Sequence, residues 1–145
     1  MIKIRIEDHE LQQHATEWSE RPAWLEEETG VLAYDVEARL KDLMPVKTGL
    51  TRASIETRHP EPHRWEVGSW TRGNILRYLN YGVQPHIILP KTRRALRWIS
   101  QTTGDVVFAT RVFHPGINPM RIMENAVHPA WAAYLVRLEK RMKEG

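Results

Sequence analysis

The sequence predicts an α+β fold, and three patterns predict it. Isoleucine alternates with charged residues at the N-terminus. Apolar residues then recur at helical spacing from about residue 22 to 44. Two β-prone hairpin patterns follow, before a second helical stripe at the C-terminus. The architecture this implies is one small antiparallel sheet, made of two hairpins and an N-terminal strand. A long helix precedes it, and a C-terminal helix kinked near Pro129 packs on it. With 145 residues the chain is long enough for one domain: an N-terminal strand and helices over 1–44, a β-rich core over 45–116 and a helix over 117–145.

Each element has a local reason. Ile2, Ile4 and Ile6 alternate with Lys3, Arg5 and Glu7, the period of a half-buried strand. Asp8 can cap a short helix with Leu11, Ala15 and Trp18 on one face. Pro22 suits the first turn of the long helix, whose apolar face is Leu32, Val36, Leu40 and Leu43, widened by Trp24, Leu25 and Val31. Its acids Glu26, Glu27, Glu28, Glu37 and Asp42 are then expected on water or on a partner. Gly30 weakens this helix midway, and Pro45 ends it.

Residues 54–59 and 65–70 read as a hairpin joined across Pro60-Glu61-Pro62-His63. Trp65, Val67 and Ser69 share one of its faces. Asn74 can cap a short helix reaching Tyr81, with Gly82 just past its end. Pro85 and Pro90 hold an extended stretch. Residues 95–101 and 106–113 form the second predicted hairpin, around Thr103-Gly104-Asp105. Asn118-Pro119 reads as the start of the last helix, with Val127, Trp131, Tyr134, Leu135, Leu138 and Met142 on its apolar stripe. Pro129 should kink or split it.

Composition narrows the chemistry. The chain has no cysteine, which excludes a disulfide scaffold, a thiolate zinc site and a cysteine nucleophile. No apolar run approaches the ~20 residues of a membrane helix. The opening Met1-Ile-Lys-Ile-Arg-Ile is too short and charged for a signal peptide, so a cytoplasmic product is expected. Net charge is +3 but uneven. Residues 1–44 carry 11 acids and 5 bases, and residues 45–145 carry 7 acids and 16 bases. The halves can neutralise each other within the chain, meet head-to-tail between copies, or turn the basic part to nucleic acid.

Candidate sites are few. His59 and His63 flank a turn with Glu61, but a zinc site needs three or four ligands and a supporting shell. Two exposed turn histidines are the simpler reading. His114 could be a base, yet Ser54 and Ser69 lie in no strained nucleophile turn. A structural ring whose N–H satisfies local carbonyls fits better. Glu26, Glu27 and Glu28 favour the helix dipole near its start. Lys91, Arg93, Arg94 and Arg97 beside Trp98 could grip a nucleic-acid backbone, rim a protein contact or simply face solvent. Six tryptophans are too many for one small core, and Trp anchors interfaces; Trp65 and Trp131 are the two expected inside.

Three motifs resemble one family. Pro45-Val46-Lys47-Thr48-Gly49-Leu50-Thr51-Arg52-Ala53-Ser54-Ile55 is similar to a Pro-Val-x-Thr-Gly-x-Leu-Arg-x-Ser-Ile pattern. Val67-Gly68-Ser69, the Tyr-rich stretch to Gly82 and His86-Ile87-Ile88-Leu89-Pro90-Lys91 form the second match. His114-Pro115-Gly116 followed by Asn118-Pro119-Met120 forms the third. Together they resemble the tail-component family of lambda-like siphophages, the gene-product-ten-like neck or tail-completion proteins. The resemblance implies a virion structural protein, made in the host cytoplasm, with no enzymatic activity, cofactor or membrane partner. It implies a sixfold ring at the head–tail junction, contacting a connector or adaptor and a tail-tube or terminator protein, with DNA passing through. A tail terminator is the competing role in the same class, and a basic nucleic-acid binder or a small His114 or His86 enzyme lies outside it. In a ring, Glu26, Glu27 and Glu28 of one copy would approach Lys91 to Arg97, or Arg137 to Lys143 (with Lys140 and Arg141), of the next.

Overall fold

The computed structural model describes residues 2–7, 22–47 and 49–144. The helix expected after Asp8, with Leu11, Ala15 and Trp18, and the turn residue Thr48 lie outside the described residues. The chain is α+β. Strand β1 spans Ile2–Glu7, helix α1 Ala23–Leu43 and a short helix α2 Leu50–Ala53. Strands β2 (Ile55–Glu61) and β3 (Arg64–Ser69) precede helix α3 (Gly73–Tyr81). Strands β4 (His86–Ile88), β5 (Leu96–Ile99), β6 (Val106–Ala109) and β7 (Val112–His114) lead to helix α4 (Ile122–Glu144).

The single sheet expected from the sequence is instead three separate ones. The first has the order β1-β3-β2, all antiparallel, with Ile4 opposite Val67 and Thr57 opposite Val67 on the other side. The other two are ribbons, β4 with β7 and β5 with β6. The predicted strand over 106–113 is therefore two strands, each with its own partner.

Helix α1 packs on the three-stranded sheet, and α4 packs chiefly on α1 instead of on the sheet where the sequence placed it. Leu25, Leu32, Ala33, Val36 and Leu40 from α1 join Ile122, Ala126, Ala130, Tyr134 and Leu138 from α4 in one core with Met44, Ile55, Val67 and Leu76. The buried positions of α4 recur every four residues, which keeps them on one face. That stripe differs from the expected one. Leu135 and Met142 are exposed and Trp131 is 40% exposed, as are Val31 and Leu43 on α1. Tyr134 and Leu138 of the expected stripe are buried, and Ala126 and Ala130 on the same face allow close helix approach, while Trp131 and Leu135 are left outside. Asn118-Pro119 does not start α4. The helix begins at Ile122 and continues through Pro129 as one element. Asn74 makes no cap, and α2 rather than a plain turn follows Gly49.

Gly30 has a packing role. A Cβ there would lie 3.0 Å from Trp65 Cζ2 and 3.2 Å from Cη2. The indole cannot easily give way. Its Nε1 donates to Glu26 Oε1 at 3.2 Å, His59 stacks on it with centroids 4.1 Å apart, and Tyr34 meets it edge-on at 5.9 Å. On the opposite sheet face Glu66 Oε1 accepts from Lys3 Nζ at 2.7 Å and Arg64 Nη2 at 2.8 Å. The Lys3 bond, against the opposing cost of burial, holds this carboxyl below its ordinary value, with Arg64 adding to the effect.

A glycine inside a helix is ordinarily worse than alanine by about 1 kcal/mol. Here Gly30→Ala should lower the thermal midpoint instead of raising it. In a Trp65→Leu background the same substitution should raise it. Equal stabilisation in both backgrounds, read by calorimetry, would refute the packing role.

Candidate interaction surface: a basic hairpin arm

Between α3 and α4 the chain leaves the body and returns as one long hairpin. Its root is the Val83–Ile117 bridge, where each N–H donates to the other's carbonyl at 2.9 Å. The same register continues through His86–His114, Ile87–Phe113 and Ile88–Val112. Beyond an irregular stretch at 89–95 the partners shift to Leu96–Ala109 and on to Ile99–Val106. Ser100 N–H to the Asp105 carbonyl, 2.8 Å, closes the tip.

Two glycines make the root. Gly82 and Gly116 have φ of 76° and 87°. A Cβ on Gly82 would sit 2.6 Å from the Ile117 carbonyl oxygen, and one on Gly116 2.4 Å from that of Val83. Only glycine tolerates both the backbone angle and the approach. The histidines sit just above. Their rings stack at 5.0 Å, and His114 Nδ1 accepts from the Gly116 N–H at 3.0 Å. The bond differs from the one expected: the His114 ring nitrogen accepts from a backbone N–H, where the sequence suggested a ring N–H donating to a carbonyl. Pro115 carries the chain from this histidine into the bend. Pro90 lies in the irregular stretch.

The return strand is tied to α3 by a residue that sequence reasoning passed over. Asn80 is 1% exposed; its side-chain Oδ1 accepts from the Met123 N–H at 2.8 Å, at the start of α4. Its carbonyl accepts from Arg121 N–H at 3.2 Å, and the Leu79 carbonyl accepts from Met120 N–H at 2.9 Å. Asn80 thus caps a helix 43 residues away, a role its neighbours in sequence do not signal. An open groove of about 630 Å³, lined by Arg77, Tyr78, Tyr81, Gly82 and Val83, lies where α3 passes into the arm root.

The arm is apolar and basic on its surface. Ile87, Leu89, Trp98, Ile99, Val106, Phe108 and Phe113 are exposed, from 41% at Trp98 to 67% at Phe113, and none joins the core. Lys91, Arg93, Arg94 and Arg97 are also exposed, and among the described residues none of them has an ion-pair partner. So many exposed apolar side chains on a two-stranded ribbon are more than scattered surface hydrophobics.

The other charged candidates are mostly used at home. Glu28 is buried, not solvated, and accepts from Arg137 Nε at 2.8 Å and Arg141 Nε at 3.2 Å. Glu27 lies 3.9 Å from Arg141, and Lys140 lies 3.8 Å from Glu144. The expected pairing of Glu28 with Arg137 and Arg141 of a neighbour is therefore corrected to a pairing within one chain, because α1 and α4 run side by side. Glu26 holds the β2–β3 turn: His59 Nε2 is 2.8 Å from Oε1, and the His63 N–H donates to Oε2 at 3.0 Å. That bond supports His63 at φ 60°, a costly angle for a residue with a Cβ. The two histidines are ligands to a carboxylate, not free turn residues. Among the described residues no group of three or more His, Asp or Glu is placed to hold a metal.

Several residues of the first motif shape the turn into β2. Gly49 takes φ 75° before α2, and Arg52 reaches Asp42 at 3.4 Å. Ser54 Oγ donates to the Thr51 carbonyl at 2.7 Å and lies 2.8 Å from the buried Ser69 Oγ. Pro45 is exposed just past α1. Of the tryptophans, Trp24 and Trp65 pack partly buried against the core, Trp70 lies under Arg58 at 3.9 Å, and Trp98 is on the arm.

Gly116→Ala should disorder the arm root while the body stays folded. Amide signals of 83–90 and 110–117 should shift or broaden in heteronuclear NMR, with the core methyl signals unmoved. An unchanged arm spectrum would refute the requirement for glycine. No family model, curated protein or solved structure matches this chain.

Proposed function

We propose that this chain is a structural virion protein of a tailed bacteriophage. It forms a ring at the head–tail junction and joins the tail to the capsid connector. The observation that carries the reading is the arm, a rigidly rooted ribbon with apolar and unpaired basic side chains outside the core. Such a surface is complete only in an assembly. The three motifs that resemble the siphophage tail-component family support the virion setting, and their described residues build turns, the arm root and the helix junction.

In this reading the protein is not an enzyme. Its work is to present shape and charge to neighbours: other copies in the ring, a connector or adaptor on one side and a tail-tube or terminator protein on the other. No helix among the described residues is long and apolar enough to cross a membrane. A ring contact in which the two surfaces differ closes by rotation, which suits a protein whose arm and body carry opposite charge. A second reading rests on the same bases: Lys91, Arg93, Arg94 and Arg97 with Trp98 could track a nucleic-acid backbone, with a steep salt dependence.

Suppressing the gene in the producing phage should leave filled heads apart from complete tails in negative-stain images of the lysate. Tails of irregular length would move the role to termination. Normal infectious particles would overturn the structural reading and favour the nucleic-acid one.

A further inference from the structure

We propose that the distal ribbon of the arm docks on the outward face of α1 in a second copy of this chain. The inference deepens the assembly reading and rests on its claim that copies of the chain meet.

The ribbon presents one defined face. Arg97 stands opposite Phe108 and Ile99 opposite Val106. Directly paired residues, and residues two apart on a strand, point to the same side. Arg97, Ile99, Val106 and Phe108 therefore form a single patch, and all four are exposed. The acceptor is equally defined. Glu27, Val31, Tyr34, Ala38 and Asp42 recur at intervals of three or four along α1, and all are exposed. The stripe is apolar in the middle and acidic at its ends. Its two acids are separated by about 22 Å of helix, and a ribbon of four residue pairs, about 13 Å long, fits between them.

Charge selects this occupant. The arm over 83–117 has five bases and one acid, a net +4, which leaves −1 on the rest of the chain. Helix α1 has six acids and two bases, a net −4. Glu28 and Glu26 are already engaged within the chain, as described above. Among the described residues, Glu27 and Asp42 on the outward stripe make exposed contacts, at 3.9 and 3.4 Å, that a closer cation can replace. The patch centre, Ile99, Val106 and Phe108, is aliphatic and aromatic and matches Val31 and Tyr34; a phosphate backbone offers it nothing. The donor and acceptor faces differ, so each copy gives an arm to one neighbour and takes one from the other.

The chain has no cysteine, so engineered thiols report without background. Ile99→Cys is made in one tagged preparation and Val31→Cys in a second of different mass. The two are mixed and oxidised, and mixed disulfides are measured. The Ile99–Val31 linkage should exceed, several-fold, the linkage of Ile99→Cys to Val136→Cys, a control on the exposed side of α4. Adding Arg97→Glu should cut the yield several-fold, and Asp42→Arg in the partner should restore it. Linkage no greater than the control, or indifferent to both charge reversals, overturns the proposal. If Ile99→Cys fails to fold, Phe108→Cys on the same face replaces it. Failure here with heads and tails still separated in the suppressed lysate would refute this interface and leave the virion role standing.

Discussion

The Val83–Ile117 bridge is the constraint on which the outer half of the molecule depends. Its two hydrogen bonds fix where the chain departs from the body and where it comes back. Because the register is set there, His86 must meet His114 and Ile87 must meet Phe113. Glycine at 82 and 116 is the condition for the bridge, since a Cβ at either place would run into the opposite strand's carbonyl oxygen. On the body side the same root is continuous with the Asn80 cap on α4. The arm is therefore anchored to two helices at once, and it projects from them as a directed element. The root, though not the distal ribbon, is thus fixed in place when the chain folds.

Charge is divided along the same line. The acidic N-terminal part meets the basic remainder in the body where Glu28 is clasped by Arg137 and Arg141. Glu66 is clasped separately by Lys3 and Arg64. These pairs are partly buried and hydrogen-bonded, the condition under which an ion pair resists screening. The arm takes no part in that balance. Its cations stay in solvent beside exposed Ile, Val and Phe.

Local chemistry made much of this legible in advance. Pro22 and Pro45 bracket α1 within two residues of its observed ends, and the alternation around Ile4 and Val67 marks two paired strands. The glycine turns at 49, 82 and 116 were readable because a positive φ is a local property. What escaped depends on partners far along the chain. Nothing near Gly30 announces Trp65, and nothing near Asn80 announces Met123. The stripe on α4 was misjudged because size and hydrophobicity favour Trp131 and Leu135, while the geometry of close helix packing favours Ala126 and Ala130. The single sheet was likewise expected because β-propensity says that 106–113 is extended but not which strand each half pairs with. The arm itself is visible in the sequence only as two glycines bracketing a basic, β-prone stretch.

The central claim is that the body folds on its own account while the arm is completed by a neighbour. Hydrogen–deuterium exchange on the isolated chain and on assembled particles tests it most directly. The account predicts that β5 and β6 amides exchange much faster than those of α1 and α4 in the isolated chain, and become protected in the particle along with the outward face of α1. Equal protection of arm and body in the isolated chain, or an arm that stays unprotected after assembly, would contradict it.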